Sequence, residues 1–168
     1  IVVFFLGALP VSGLDLVWGT GHATPLMLCL QIAIISLANA AWQDGEQAPP
    51  FSSPVQWLIR AALALLPVLS ALSIWSLSLR IDQYGWSIDR VWAAVAVGLT
   101  TLYSLGYAAS ALLRGWLPTL GKVNTWMALL LMGILLAIHS PLLDPQRISA
   151  SSQVSRLLAG TTEVEKFD

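Results

Sequence analysis

VQWLIRAALALLPVLSALSIWSLSL, residues 55–79, carries a single charged group, Arg60. A bilayer hydrocarbon core about 30 Å thick needs roughly 20 predominantly apolar residues of helix, and this stretch supplies them. Residues 25–42, 91–113 and 124–143 read the same way, and 1–9 reads as part of a fifth span. The expected fold is all-α: a polytopic transmembrane helix bundle with four complete spans and a partial N-terminal one. The bundle occupies residues 1–143. Residues 144–168 form a polar tail, with a short helix expected over 149–159 that ends at Gly160. The tail reads as the start of a soluble extension or as a helix lying at the interface.

The tryptophans agree with this reading. Trp18, Trp42, Trp57, Trp86, Trp92, Trp116 and Trp126 lie at or near the expected span ends, where an amphipathic ring rests at headgroup level. Charged residues make up 10% of the chain against 57% hydrophobic ones. Soluble domains carry about 25% charge, and an excess of apolar residues this large would leave wide apolar patches facing water. A net charge of −1 offers no basic stripe for nucleic acid. Cys29 is the single cysteine, which excludes an internal disulfide and is expected to be a small packed hydrophobe. The chain opens on Ile1-Val2-Val3-Phe4-Phe5 with no basic n-region, so 1–9 is expected to be the back half of a helix that begins upstream. Its last residues, Glu163 to Asp168, are likewise expected to continue into further sequence.

Span parity puts the 10–24 loop, the 80–90 link and the tail on one membrane face, with the 43–54 and 114–123 loops on the other. Arg80, Arg90, Arg147 and Arg156 lie on the first face, and Arg114, Lys122 and a snorkelling Arg60 on the second. This small excess assigns the tail face to the cytoplasm. Pro67 removes one backbone hydrogen bond in mid-span, and Ser70 or a neighbouring helix is expected to answer the freed carbonyl. Ser87 is the expected N-cap of the next helix, with Asp89 in its first turn.

Ionisable residues inside a membrane are costly and are functional candidates by default, yet this chain has almost none. Gln31 and Asn39 are expected to make interhelical hydrogen bonds. Ala94, Gly98, Gly106 and Ser110 recur at multiples of four, the spacing of a close helix-packing seam. Ala108 is expected on roughly the opposite side, and Tyr103 and Tyr107 form a neighbouring ridge. The tail face gathers Asp15, His22, Arg80, Asp82, Asp89, Arg90, His139 and Asp144. Metal binding would need ligands such as two histidines four apart on a helix, and that spacing is missing, so no metal and no cofactor is assigned. Instead Arg80, Asp82, Asp89 and Arg90 are expected to pair as ions. P-loop, G-x-S-x-G and H-E-x-x-H signatures are absent.

Two stretches carry a resemblance. Arg80-Ile81-x-Gln83-Tyr84-Gly85, then Asp89-Arg90 and Tyr103-x-x-Gly106-Tyr107, resembles the centre of a bacterial family catalogued as domain of unknown function 4153. Leu143-Asp144-Pro145-x-Arg147-Ile148-Ser149, followed by Gln153, Arg156-Leu157 and Gly160, resembles its later part. The resemblance covers roughly residues 66–168. It implies a multi-pass protein of the bacterial inner membrane, with helices upstream and an extension downstream, and it brings no reaction with it. The candidate shared polar site is Arg80, Asp82, Gln83, Tyr84, Asp89, Arg90, His139, Asp144, Arg147, Gln153 and Arg156, read as structural joints ahead of a chemical site.

Two functional readings stand. The first is a non-enzymatic scaffold or transporter-like component of the bacterial envelope. Its partners would be the lipid bilayer, further helices of the same protein, and protein partners or a second copy. The alternative is a membrane-embedded enzyme that acts at the interface on lipid or envelope substrates through the tail-face residues.

Overall fold

The computed structural model describes residues 23–42, 49, 51–141 and 143–160. The expected span at 1–9, Asp15, Trp18 and His22 lie outside them. Among the described residues there are five helices: α1 (Ala23–Trp42), α2 (Ser53–Tyr84), α3 (Ile88–Leu112), α4 (Leu120–Ile138) and α5 (Pro145–Leu158). The first four are each long and apolar enough to cross a membrane.

Helix ends follow capping chemistry more closely than they follow polarity. The 80–90 link was expected to be a loop, but α2 runs through Arg80 to Tyr84 and stops only at Gly85. Polar residues at headgroup level do not unwind a helix; a residue that leaves helical backbone geometry does. Gly85 has φ 71° and ψ −173°, a region that essentially only glycine occupies. At about 1.5 Å per residue, the 32 residues of α2 measure about 48 Å, longer than the hydrocarbon core. Ser87 accepts a hydrogen bond from the Arg90 backbone N–H, as expected of the α3 N-cap. Helix α5 begins at Pro145, ahead of the expected start at 149. Asp144 caps it by accepting from the Gln146 N–H, and Pro145 occupies the first turn, where a missing N–H costs nothing.

Helix α3 is the hub and packs against α1, α2, α4 and α5. The apolar core lies toward the 113–119 loop, built from Ile34, Ala38, Leu63, Leu66, Leu69, Tyr107, Ala111, Leu117 and Leu120. Arg60 rises to this end as expected. There its guanidinium donates to the carbonyls of Ala111, Leu113 and Gly115, closing the C-terminus of α3 with a cation where the dipole favours one.

Three expectations need correction. Cys29 is exposed rather than packed, because it lies on the outer side of α1, away from the line of Met27, Gln31, Ile34 and Ala38 that faces the bundle. Trp42 and Trp116 pack against the core, whereas Trp57, Trp92 and Trp126 are exposed as a lipid-facing belt requires. The small-residue seam on α3 is split. A Cβ on Gly106 would lie 2.7 Å from Val123 Cγ1, but one on Gly98 would meet nothing within 4 Å. Helices α3 and α4 are therefore tight at Gly106 and open out toward Gly98. Ala94 and Gly98 line an apolar groove there, while Ser110 is buried and its Oγ accepts from the Thr119 N–H.

Candidate functional site

Two polar clusters define the interior. In the first, Gln31 on α1 is fully buried. Its amide donates to Ser73 Oγ on α2 at 2.8 Å and to the Met27 carbonyl at 3.3 Å. Its Oε1 accepts from Ser70 at 2.8 Å and lies 3.3 Å from Ser104 Oγ on α3. Ser70 and Ser104 are 2.9 Å apart. The Ser70 hydroxyl, one candidate for the carbonyl freed by Pro67, is thus spent across the helix interface. Thr24 donates to Ser76 at 2.8 Å, extending the line of polar groups between α1 and α2.

The second cluster joins three helices. Asn39 on α1 donates to Tyr107 Oη at 2.6 Å, and Tyr107 on α3 donates to Asn124 Oδ1 on α4 at 2.6 Å. Asn124 closes the ring by donating to Asn39 Oδ1 at 2.7 Å. Tyr103 stands edge-on to Tyr107, with centroids 5.7 Å apart. Gln31 and Asn39 are therefore both interhelical fasteners, as their types led us to expect. Sequence reasoning passed over Ser73, Ser104 and Asn124 and read Ser70 only as a partner for the carbonyl freed by Pro67, because a lone polar residue in an apolar run carries no signal of an interhelical bond until its partner helix is known.

Part of the candidate shared site meets at one joint between α2, α3 and α5. The last carbonyls of α2 have no intrahelical donors, and α5 supplies them. Arg156 donates to the carbonyls of Asp82 at 3.3 Å and Gln83 at 2.9 Å. Gln153 donates to the Trp86 carbonyl at 3.0 Å and reaches that of Tyr84 at 3.4 Å. Ser152 accepts from the Trp86 N–H at 3.0 Å. From α3, Arg90 donates to the Gly85 carbonyl at 2.8 Å, and its guanidinium carbon lies 5.2 Å from the centre of the Tyr84 ring. The joint is held by arginine-to-carbonyl bonds, not by the ion pairs expected among Arg80, Asp82, Asp89 and Arg90. The end of α2 presents a row of carbonyl acceptors within hydrogen-bond reach of Arg90 and Arg156.

The remaining candidates are dispersed. Asp82 and Asp89 are exposed, and Arg80 makes no hydrogen bond to a described residue. His139 caps α4, its Nδ1 2.7 Å from the Leu135 carbonyl. Asp144 caps α5, and Arg147 is exposed one turn further on. Among the described residues no group of three or more His, Cys, Asp or Glu side chains is placed to hold a metal ion.

Gly85 is the tightest point of the joint. A Cβ there would lie 2.6 Å from Arg156 Cδ and 3.1 Å from Ser152 Oγ, at a positive φ. Gly85→Ala is expected to cost about 1–3 kcal/mol from backbone strain and to push α5 off the end of α2. Hydrogen–deuterium exchange should show faster exchange across 145–158 with α1–α4 unchanged. Unchanged protection of α5 would refute the joint.

Four long apolar helices fastened by buried amides and hydroxyls make this an α-helical membrane protein. The chain belongs to the family described as Domain of unknown function (DUF4153), whose model matches residues 23–167. Comparison with curated proteins and with solved structures finds no match.

Proposed function

We propose that this chain is a membrane-embedded scaffold of a multi-pass protein in the bacterial inner membrane, with its tail face in the cytoplasm. In this reading further helices of the same protein pack beside it, and α5 carries the end of the bundle into a downstream extension. One observation carries the proposal. Seven polar side chains at membrane depth (Gln31, Asn39, Ser70, Ser73, Ser104, Tyr107 and Asn124) are bonded to one another between helices. A transporter needs water-accessible polar groups near the midplane, beside broken helices. Here α2 continues unbroken through Pro67, and Gln31, Ser73 and Ser104 are fully buried. An interfacial enzyme is supported less well, because the tail-face guanidinium groups of Arg90 and Arg156 are engaged in holding α2, α3 and α5 together.

Single cysteines at Ser73, Ser104, Asp82, Ser151 and Pro118, in a Cys29→Ser background, test this with an impermeant thiol reagent on sealed membranes. Asp82 and Ser151 should label from one side and Pro118 from the other, while Ser73 and Ser104 stay unlabelled from both. Labelling of Ser73 and Ser104 would mean a water-filled path and would favour transport. Co-labelling of Asp82 with Pro118 would refute the span parity.

A further inference from the structure

We infer that the tail-face end of the bundle binds a zwitterionic phospholipid, with an acyl chain in the groove beside Gly98 and the headgroup over the first turns of α5. The groove is a cavity of about 620 Å³ between α2, α3 and α4, within the size range of ligand sites. Ile74, Leu99, Leu102, Leu130 and Ile134 form its walls, and Gly98 lies on its α3 side, where no side chain intrudes. At this depth the surroundings are hydrocarbon, so whatever fills the groove is apolar.

Trp86 sets the occupant's length and polarity. It lines the apolar groove and also a second cavity of about 650 Å³ and mixed lining, with Asp144, Arg147, Ser151 and Ser152 beside Pro141 and Ile148. An indole at the junction of an apolar and a partly polar space is what a headgroup-level position selects. Trp86 is held there from α5 through its backbone: its main-chain N–H donates to Ser152 Oγ and its carbonyl accepts from Gln153. This second cavity carries both signs of charge. Arg147 is exposed and makes no hydrogen bond to a described residue. Asp144 uses Oδ1 to cap α5, leaving Oδ2 for a second donor. A phosphate against Arg147 and an ammonium against Asp144 match a phosphatidylethanolamine headgroup, whereas phosphatidylglycerol has no cation for the carboxylate.

The test uses the full chain purified in detergent, with phosphatidylethanolamine and phosphatidylglycerol added separately and bound lipid counted by native mass spectrometry. Phosphatidylethanolamine should be retained preferentially, and Arg147→Gln should lower its retention about tenfold, as loss of one charge-assisted contact implies. Asp144→Asn keeps a good N-cap but removes the charge, so it should abolish the preference between the two lipids. Gly98→Leu should block retention of both. Photoreactive benzoylphenylalanine in place of Leu102, irradiated only after purification in detergent, should yield an adduct of phospholipid mass, and in place of Leu136, exposed on the outer side of α4, none. Equal retention of both lipids by the unaltered chain would overturn the inference. So would a Leu102 crosslink only to residues 1–22 of this chain or to a second copy.

Discussion

Replacing Gly106 with leucine should destabilise the bundle by about 1–3 kcal/mol, the usual range for overpacking a tight contact. Replacing Gly98 with leucine should change stability by no more than about 0.5 kcal/mol, as for an open surface position. The two glycines lie eight residues apart on one side of α3, and the periodic pattern treats them alike. Their surroundings differ. A Cβ on Gly106 meets both methyls of Val123, at 2.7 and 2.9 Å, and valine is stiff at χ1, so neither methyl can turn aside. The helices must separate, which pulls Asn124 away from Tyr107 and Asn39 one residue later. Gly98 has only the groove in front of it. Thermal unfolding in detergent decides this, with Gly133→Leu as a second open-site control. Ala108, which the helical wheel places opposite the seam, cannot serve as that control because it is itself buried. Equal losses at Gly106 and Gly98 would mean that α3 and α4 are closed along their whole length. Gly98→Leu should still lose bound phospholipid, which separates its stability effect from its binding effect.

Gln31→Ala should be similarly damaging, at about 2–5 kcal/mol, the range for truncating a large buried side chain. Gln31→Leu should cost much less, about 1–2 kcal/mol. Interhelical hydrogen bonds in membranes average about 0.6 kcal/mol and reach about 1.7. The serines around Gln31 also have other acceptors: Ser73 donates to the Leu69 carbonyl at 2.9 Å and Ser104 to the Thr100 carbonyl at 2.6 Å. With leucine in place of the amide, these hydroxyls fall back on their own helices and the volume stays filled. Unfolding of the two variants in detergent, compared with a Ser73→Ala variant, distinguishes packing from hydrogen bonding. If leucine proves as costly as alanine, the hydrogen bonds dominate and the cluster is more than a fastener.

The sequence alone determined the four apolar helices, their order and the cap at Ser87. Each follows from local causes: span length against bilayer thickness and an N-cap side chain. It also marked Arg80, Asp82, Gln83, Tyr84, Asp89, Arg90, His139, Asp144, Arg147, Gln153 and Arg156 as one candidate group, through a family pattern rather than through chemistry. What joins part of that group, and leaves Arg80, Asp89, His139, Asp144 and Arg147 outside the joint, became visible only in three dimensions. Arg156 and Gln153 lie about 70 residues from the α2 carbonyls they bind, and no local rule tells a guanidinium whether it will meet a carboxylate or the open end of a helix. The same limit explains why Gly106 and Gly98 looked equivalent and why Ser73 and Ser104 went unremarked. Their roles depend on which helix face lies opposite, and that is fixed by how four helices divide a shared interior.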